Sequence, residues 1–204
     1  MNELEIVVFA NSSKHGEHCV AGKNTSDKKW VRPVSSPSGG ALNKNQIRYE
    51  NPYGKFQVKT LQIIKLSYLK KVPLPNQPDN YLIDNKIWKQ NYAIDSNEIS
   101  NYLDKPESIW GTTDRLSFSE IKLGKIKIDQ SLYLVKVQNL QLYFGSENKK
   151  RAKFSYNKIN YDLAVTDPAF ISIKGDEKSK YGVLCISLGE VFHGSCFKLV
   201  AGIF

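Results

Sequence analysis

Hydrophobic and polar residues alternate along most of the chain, in short runs rich in β-branched and aromatic residues. A period of two is typical of strands buried on one face. Clusters of Gly, Pro, Asn, Asp and Ser separate the runs, as turns do. The pattern predicts a β-rich fold, and the predicted strands of the first half are LEIVVFA, HCVAGKN, KWVRPVS, QIRYE and the long VKTLQIIKLSYLKKV.

Three features of the first half depart from simple alternation. The apolar phase shifts around Ile63 and Ile64, which predicts a β-bulge. The segment PLPNQP, residues 73–78, cannot sustain a strand ladder or a helix and predicts a surface loop. SNEISNYLDKP predicts a short helix with Ser96 or Asn97 as N-cap and Pro106 as its stop.

The second half has the same β character, with runs at SLYLVKVQNLQLYF, RAKFSYNKINYDLAV, YGVLCISL and CFKLVAGIF. Asn157 and Lys158 separate two alternating runs as in a hairpin, and GEVFHGS is predicted to connect the last two strands. The closing KLVAGIF predicts a buried terminal strand, because its apolar side chains would otherwise be exposed. The halves therefore predict an all-β chain with one or two short helices, arranged as two OB-like β-barrels in tandem, residues 1–105 and 106–204.

The net charge of +9 and the isoelectric point near 9.3 favour an anionic partner such as nucleic acid or a nucleotide. No apolar run is long enough to cross a membrane, and the first residues lack the basic region of a secretory signal. An odd number of cysteines, three, does not suggest an extracellular disulfide framework. We therefore expect a cytoplasmic protein with reduced, mostly buried thiols and no membrane partner.

Histidine and cysteine residues occur near both ends of the chain, and the candidate ligands are His15, His18, Cys19, His193 and Cys196. A tetrahedral zinc site could use such a set, but adjacent side chains diverge in an extended segment and paired CxxC spacings are absent. We therefore predict no metal site.

A nucleophile with a histidine base could be drawn from Ser12 or Ser13, His15 and Asp167. Nothing in the sequence brings them together, and no nucleophile elbow, Walker loop or dinucleotide fingerprint is present. The sequence therefore names no catalytic residue and no cofactor, and it favours a binding module over an enzyme.

The loop NSSKHG has the composition of a phosphate-binding turn. Asn11 and Ser13 are short hydrogen-bonding residues, Lys14 adds charge, and Gly16 permits close backbone approach. The alternative is an ordinary turn between two strands.

Trp30 and Arg32 share one face of a predicted strand, with Val31 on the other. A ring beside a guanidinium can stack bases and bind phosphate, as in single-strand-binding proteins. Trp30 could equally lie in the core, with Arg32 over it.

The segment KKRAKFSYNKINYDLAVTDP interleaves basic and aromatic residues, which is the composition of a nucleic-acid-binding face. Arg151 and Lys153 are its candidate phosphate contacts, and Tyr156 is its candidate stacking residue. A solvated edge strand protected by lysines is the alternative. Asp167, before Pro168, is typical of a turn.

ANSSKHGEHCVAGKN, WVRPVS, YLIDNKIW, LAVTDP and SLGEVFHGSCFKLVAGIF together resemble the dual-OB-domain family, small prokaryotic proteins generally described as nucleic-acid-binding by prediction. The resemblance implies two OB-like barrels and a nucleic-acid or nucleotide ligand, without established catalytic residues. It favours a set of site residues in which the three histidines are absent: Ser13, Lys14, Cys19, Trp30, Arg32, Asp167 and Lys198.

The leading hypothesis is a module that binds single-stranded or distorted DNA or RNA by phosphate contacts and aromatic stacking. The alternative is a small-nucleotide sensor or nucleotide-processing enzyme with a pocket between the barrels. A third hypothesis is a protein-interaction subunit marked by an exposed apolar patch. The sequence does not predict an oligomeric state.

Overall fold

The computed structural model describes residues 2–14, 16–172 and 182–204. The chain divides into two compact units, Met1–Tyr102 and Leu103–Phe204, and the boundary expected after residue 105 lies beside this division. Each unit consists mainly of strands and has its own hydrophobic core.

The first unit contains eight strands followed by a 3₁₀ helix, Ser96–Tyr102. The strands are β1 (Asn2–Lys14), β2 (Glu17–Asn24), β3 (Trp30–Val34), β4 (Arg48–Asn51), β5 (Gly54–Gln57), β6 (Gln62–Lys71), β7 (Asn80–Ile83) and β8 (Trp88–Ala93).

Five of these strands close into a barrel in the order β1-β2-β3-β7-β6, because β6 also pairs with β1. The β3–β7 pair is parallel and the other four pairs are antiparallel. This is the five-stranded connectivity of an OB barrel. Strands β8, β4 and β5 extend the sheet outward from β6 and leave β5 at its edge.

The local predictions for the first unit are largely confirmed. The register of β6 against β8 shifts between Gln62 and Ile64, at the predicted bulge. The helix forms with 3₁₀ geometry and ends before Pro106. The expectation that residues 73–78 run over the surface is wrong for Asn76 and Gln77, because both side chains are buried.

The second unit contains seven strands: β9 (Arg115–Ser117), β10 (Leu132–Lys136), β11 (Gln138–Phe144), β12 (Lys150–Tyr156), β13 (Ile159–Val165), β14 (Val183–Phe192) and β15 (Ser195–Ile203). Helix α1 (Phe118–Lys122) follows β9, and two 3₁₀ turns lie at Ser146–Asn148 and Pro168–Ile171.

The second sheet has the order β10-β14-β15-β13-β12-β11. A single residue, Val137, separates β10 from β11, so the strands at the two ends of this order are consecutive along the chain. Its β13–β15 pair is parallel, like β3–β7 in the first unit. The predicted fold of two OB-like barrels is confirmed, and the first unit has eight strands where the sequence predicted five.

Two hairpin turns position the strands of the second barrel. Asn157 and Lys158 both have positive φ, 47° and 65°, as a two-residue hairpin turn requires, which confirms the hairpin prediction. His193 and Gly194, at 47° and 75°, form a similar turn. The predicted connection GEVFHGS is therefore mostly strand, since β14 continues to Phe192 and β15 begins at Ser195.

Candidate nucleic-acid interface

Strands β11, β12 and β13 present a polar outer face in the second unit. Along β12, Ala152 and Phe154 point into the barrel core, so Arg151 and Lys153 point outward. Arg151 lies opposite Tyr143 on β11, and Lys153 lies between Gln141 and Asp162 on the neighbouring strands. We call this surface, made of Gln141, Tyr143, Arg151, Lys153 and Asp162, the β12 face.

Hydrogen bonds fix the orientation of Arg151 on the β12 face. Its Nε donates to Asp162 Oδ1 at 2.9 Å, and its Nη2 donates to the Asp162 carbonyl at 2.7 Å. The Tyr143 hydroxyl donates to Asp162 Oδ2 at 2.5 Å, and this hydrogen bond raises the pKa of Tyr143. The phenol therefore stays protonated at neutral pH, and the guanidinium keeps Nη1 outside these contacts.

Lys153 is exposed and, within the described residues, has no carboxylate in salt-bridge range, because Asp162 is already paired with Arg151. Tyr143 retains 37 % of its surface exposed. The face thus combines an unneutralised ammonium, an oriented guanidinium and an accessible ring. These groups suit phosphate oxygens and a stacked base.

The corresponding face of the first barrel is covered by its own chain. The ring of Phe9 lies 6.2 Å from that of Trp30 and 5.3 Å from that of Tyr102, at the end of the 3₁₀ helix. Lys23 Nζ donates to the Tyr102 carbonyl at 2.8 Å. The helix therefore occupies the surface that a ligand of this barrel face would need.

Trp30 and Arg32 lie on this covered face. Val31 points into the barrel core, as alternation predicts, but Trp30 is only 3 % exposed and Arg32 is buried as well. The Trp30 ring therefore occupies the core position that the sequence left open as an alternative. It has no open ring face for a base.

The NSSKHG segment lies at the end of β1, where Ser13 and Lys14 pair with His18 and Glu17 of β2. Asn11 Nδ2 donates to the Val58 carbonyl at 2.7 Å and ties the strand to the segment before β6. His15 lies outside the described residues. The described parts of the segment are thus the ends of two paired antiparallel strands.

Two other predicted site residues make structural contacts in the second unit. Tyr156 lies in the core, and its hydroxyl donates to the Pro106 carbonyl at 2.7 Å. Asp167 accepts from the backbone N–H groups of Ala169 and Ile203 at 2.8 and 2.9 Å. Burial raises the pKa of Asp167, and these two donors oppose the increase.

Lys198 is a buried cation on β15 and is 1 % exposed. Its Nζ donates to the Gly111 carbonyl at 3.1 Å and lies 5.6 Å from the centre of the Tyr161 ring. Burial lowers the pKa of Lys198 to about 8, although Asp114 acts in the opposite direction. This side chain supports the barrel from inside and is not on the β12 face.

The histidines and cysteines are separated by the fold. His18 and Cys19 lie on β2 of the first unit, and Cys196 is fully buried on β15 of the second. Among the described residues, no three His, Cys, Asp or Glu side chains are close enough together to hold a metal ion. None of the helices in the described ranges has the length and apolar character needed to span a membrane.

Gln141 and Tyr143 belong to the β12 face but were not predicted from the sequence. They alternate with the half-buried Leu140 and Leu142 in QNLQLYF, so the period of two already places them on the polar side. Their position opposite Lys153 and Arg151 follows only from the strand register.

One comparison with known proteins supports the architecture. A family model described as dual OB-containing domain matches residues 4–203. A search of curated proteins found no match to this sequence. The similar solved structures include a murine DNA-binding protein bound to double-stranded DNA, at 10% identity and a TM-score of 0.40, with 100% of this chain and 94% of that chain covered. They also include the Ifi202 HINa domain in complex with 20-bp double-stranded DNA, at 14% identity and a TM-score of 0.34, with 100% and 94% covered.

Proposed function

The chain belongs to the dual OB-containing domain family, and from this premise we propose that it binds nucleic acid through the β12 face of its second barrel. The observation that carries the proposal is the exposed Lys153 beside the partly exposed Arg151, on the strands that OB barrels commonly use for oligonucleotides. The corresponding face of the first barrel is covered, so the second barrel supplies the main contact surface.

Each group on the β12 face has a distinct role in this proposal. Lys153 and the Nη1 group of Arg151 bind phosphate oxygens, and the exposed ring of Tyr143 stacks on a base. Gln141 donates to a phosphate or a base edge. The ligand is single-stranded or distorted nucleic acid, because an unpaired base is needed to stack on the Tyr143 ring.

The other predicted residues have supporting roles in the proposal. Lys14 remains a predicted phosphate contact at the end of β1, with Ser13 beside it. The buried Trp30, Arg32, Tyr156, Asp167 and Lys198 shape the barrels that carry the contact surfaces. Asn11 holds β1 in place through its bond to Val58.

The test is fluorescence anisotropy with labelled single-stranded DNA, single-stranded RNA and duplex at two salt concentrations. Lys153→Gln should weaken single-strand binding and reduce the slope of log affinity against log salt by about 0.7, since one phosphate contact is lost. Tyr143→Ala should weaken binding by about 1–3 kcal/mol without changing that slope, because stacking releases no counterions.

Lys122→Gln is the matched control. Lys122 is an exposed lysine on α1, and this substitution removes the same charge as Lys153→Gln. It should leave affinity almost unchanged. If Lys122→Gln and Lys153→Gln weaken binding equally, net charge alone explains the affinity and the assignment to the β12 face is wrong. Comparison of the DNA and RNA arms decides which nucleic acid is preferred.

A further inference from the structure

A second polar surface lies in the first unit, away from the covered barrel face. A cleft of about 400 Å³ opens between the β4–β5 hairpin, the loop before it and the loop between β7 and β8. The lining residues used in the argument are Asn43, Gln46, Arg48, Lys55, Asp84 and Lys86. A volume of this size can hold a single nucleotide.

The side-chain NH₂ groups at the mouth of the cleft can donate hydrogen bonds to a ligand. Asn43 Oδ1 accepts from the backbone N–H of Asn45 at 2.9 Å and of Gln46 at 3.1 Å. Gln46 Oε1 accepts from the backbone N–H of Asn43 at 3.0 Å. The loop thereby uses the acceptor oxygens of both side chains, which leaves their NH₂ groups to serve a ligand.

Positively charged side chains also outnumber carboxylates in the cleft. Arg48, Lys55 and Lys86 line it with a single carboxylate, that of Asp84. Asp84 already accepts from the Ser67 hydroxyl at 2.7 Å and from the Lys86 backbone N–H at 2.9 Å. Within the described part of the chain, Arg48 and Lys55 form no salt bridge.

We infer that this cleft is a phosphate-binding site, separate from the β12 face and independent of the proposed function. Its ligand is a phosphate group carried by a nucleotide or by the backbone of a nucleic acid strand. Arg48 and Lys55 neutralise the phosphate, and the NH₂ groups of Asn43 and Gln46 donate to its oxygens.

The experiment follows the side-chain NH₂ signals of Asn43 and Gln46 by NMR in the full chain. Inorganic phosphate, adenosine monophosphate and a short oligothymidine are titrated separately, with sodium chloride at matched ionic strength as the reference. All three phosphate compounds should shift these signals, and sodium chloride should not. Comparison of the titrations identifies the molecule that carries the phosphate group. A nucleotide site should bind adenosine monophosphate more tightly, and a strand-binding site should bind oligothymidine more tightly.

The double variant Arg48→Gln/Lys55→Gln should weaken the phosphate response roughly tenfold, because two solvent-exposed charge contacts are lost. Lys70→Gln/Lys122→Gln removes two exposed charges elsewhere and should keep the response. An absent response, or an equal loss in both double variants, overturns the inference. Lys153→Gln should leave these signals responsive to phosphate, so failure of this site and failure of the β12 face are distinguishable.

Discussion

At the scale of single residues, Lys198 couples the stability of the second barrel to pH. Its pKa in the folded chain, about 8, lies below the usual 10.5 because the ammonium is buried. Between these values the unfolded chain binds more protons than the folded chain, so the free energy of unfolding rises as pH increases from about 8 toward 10.5. The full increase is about 3 kcal/mol.

Lys198→Met should remove this pH dependence, because the buried methionine carries no charge. Chemical denaturation at several pH values from neutral to mildly alkaline measures it, with wild type and variant compared at each pH. Lys122→Met, at an exposed position, should follow the wild-type profile. An unchanged profile in Lys198→Met would show that other groups produce the pH dependence.

At the scale of elements, the 3₁₀ helix Ser96–Tyr102 functions as a structural part of the first barrel. Ile99 and Tyr102 are buried, and the Tyr102 ring contacts Phe9 while Lys28 Nζ lies 4.1 Å from its centre. This packing stabilises the unit by removing apolar surface from water. A helix held by a buried aromatic anchor is a permanent cover for the face beneath it.

Tyr102→Ala should therefore lower the free energy of unfolding by about 3 kcal/mol, as truncation of a buried aromatic residue usually does. It should not increase affinity for oligonucleotides. Denaturant unfolding and anisotropy measure the two effects. Tyr92→Ala, at a tyrosine 64 % exposed, is the control and should change stability by less than about 0.5 kcal/mol. Tighter oligonucleotide binding by Tyr102→Ala would contradict the structural role of this helix.

At the scale of the whole molecule, the chain consists of two compact structural units. Each has a separate core, built around residues such as Val8 and Trp88 in the first unit and Phe154 and Val200 in the second. Each also has its own sheet. A domain with its own core can fold alone.

Residues 1–102 and 103–204, expressed separately, should each show a β-sheet circular dichroism spectrum and a cooperative unfolding transition. The oligonucleotide binding that depends on Lys153 should remain with residues 103–204. Loss of cooperative unfolding in either fragment would contradict the independence of the barrels. Full-length protein measured in the same buffers is the reference for both fragments.

Much of the fold could be predicted because its signals are local. Alternation located most strands, and the positive-φ pair Asn157 and Lys158 marked a hairpin that depends only on its own residues. Strands β5, β7, β8 and β9 were not predicted, and three of them, β5, β7 and β9, are only three or four residues long. The loop around Asn76 was predicted as exposed because its composition does not reveal what packs against it.

The candidate site was predicted only in part for the same reason. Arg151 and Lys153 point away from the core because their strand has its other face in the core. The alternating pattern of the sequence predicts this arrangement. Trp30 and Arg32 follow the same alternation, but both faces of β3 are buried. The cover comes from residues about seventy positions later, and no local pattern reports it.

The sequence by itself determined that the chain is β-rich, basic and arranged as two OB-like units, because periodicity, charge and turn chemistry are properties of neighbouring residues. The tertiary structure alone decided which barrel face is open, which cations are neutralised and which loops meet at the cleft. Burial and the lining of the cleft depend on residues distant in sequence: Phe9 packs against Tyr102, and Arg48 lines the same cleft as Lys86. Those distances are set only when the strands pair and the barrels close.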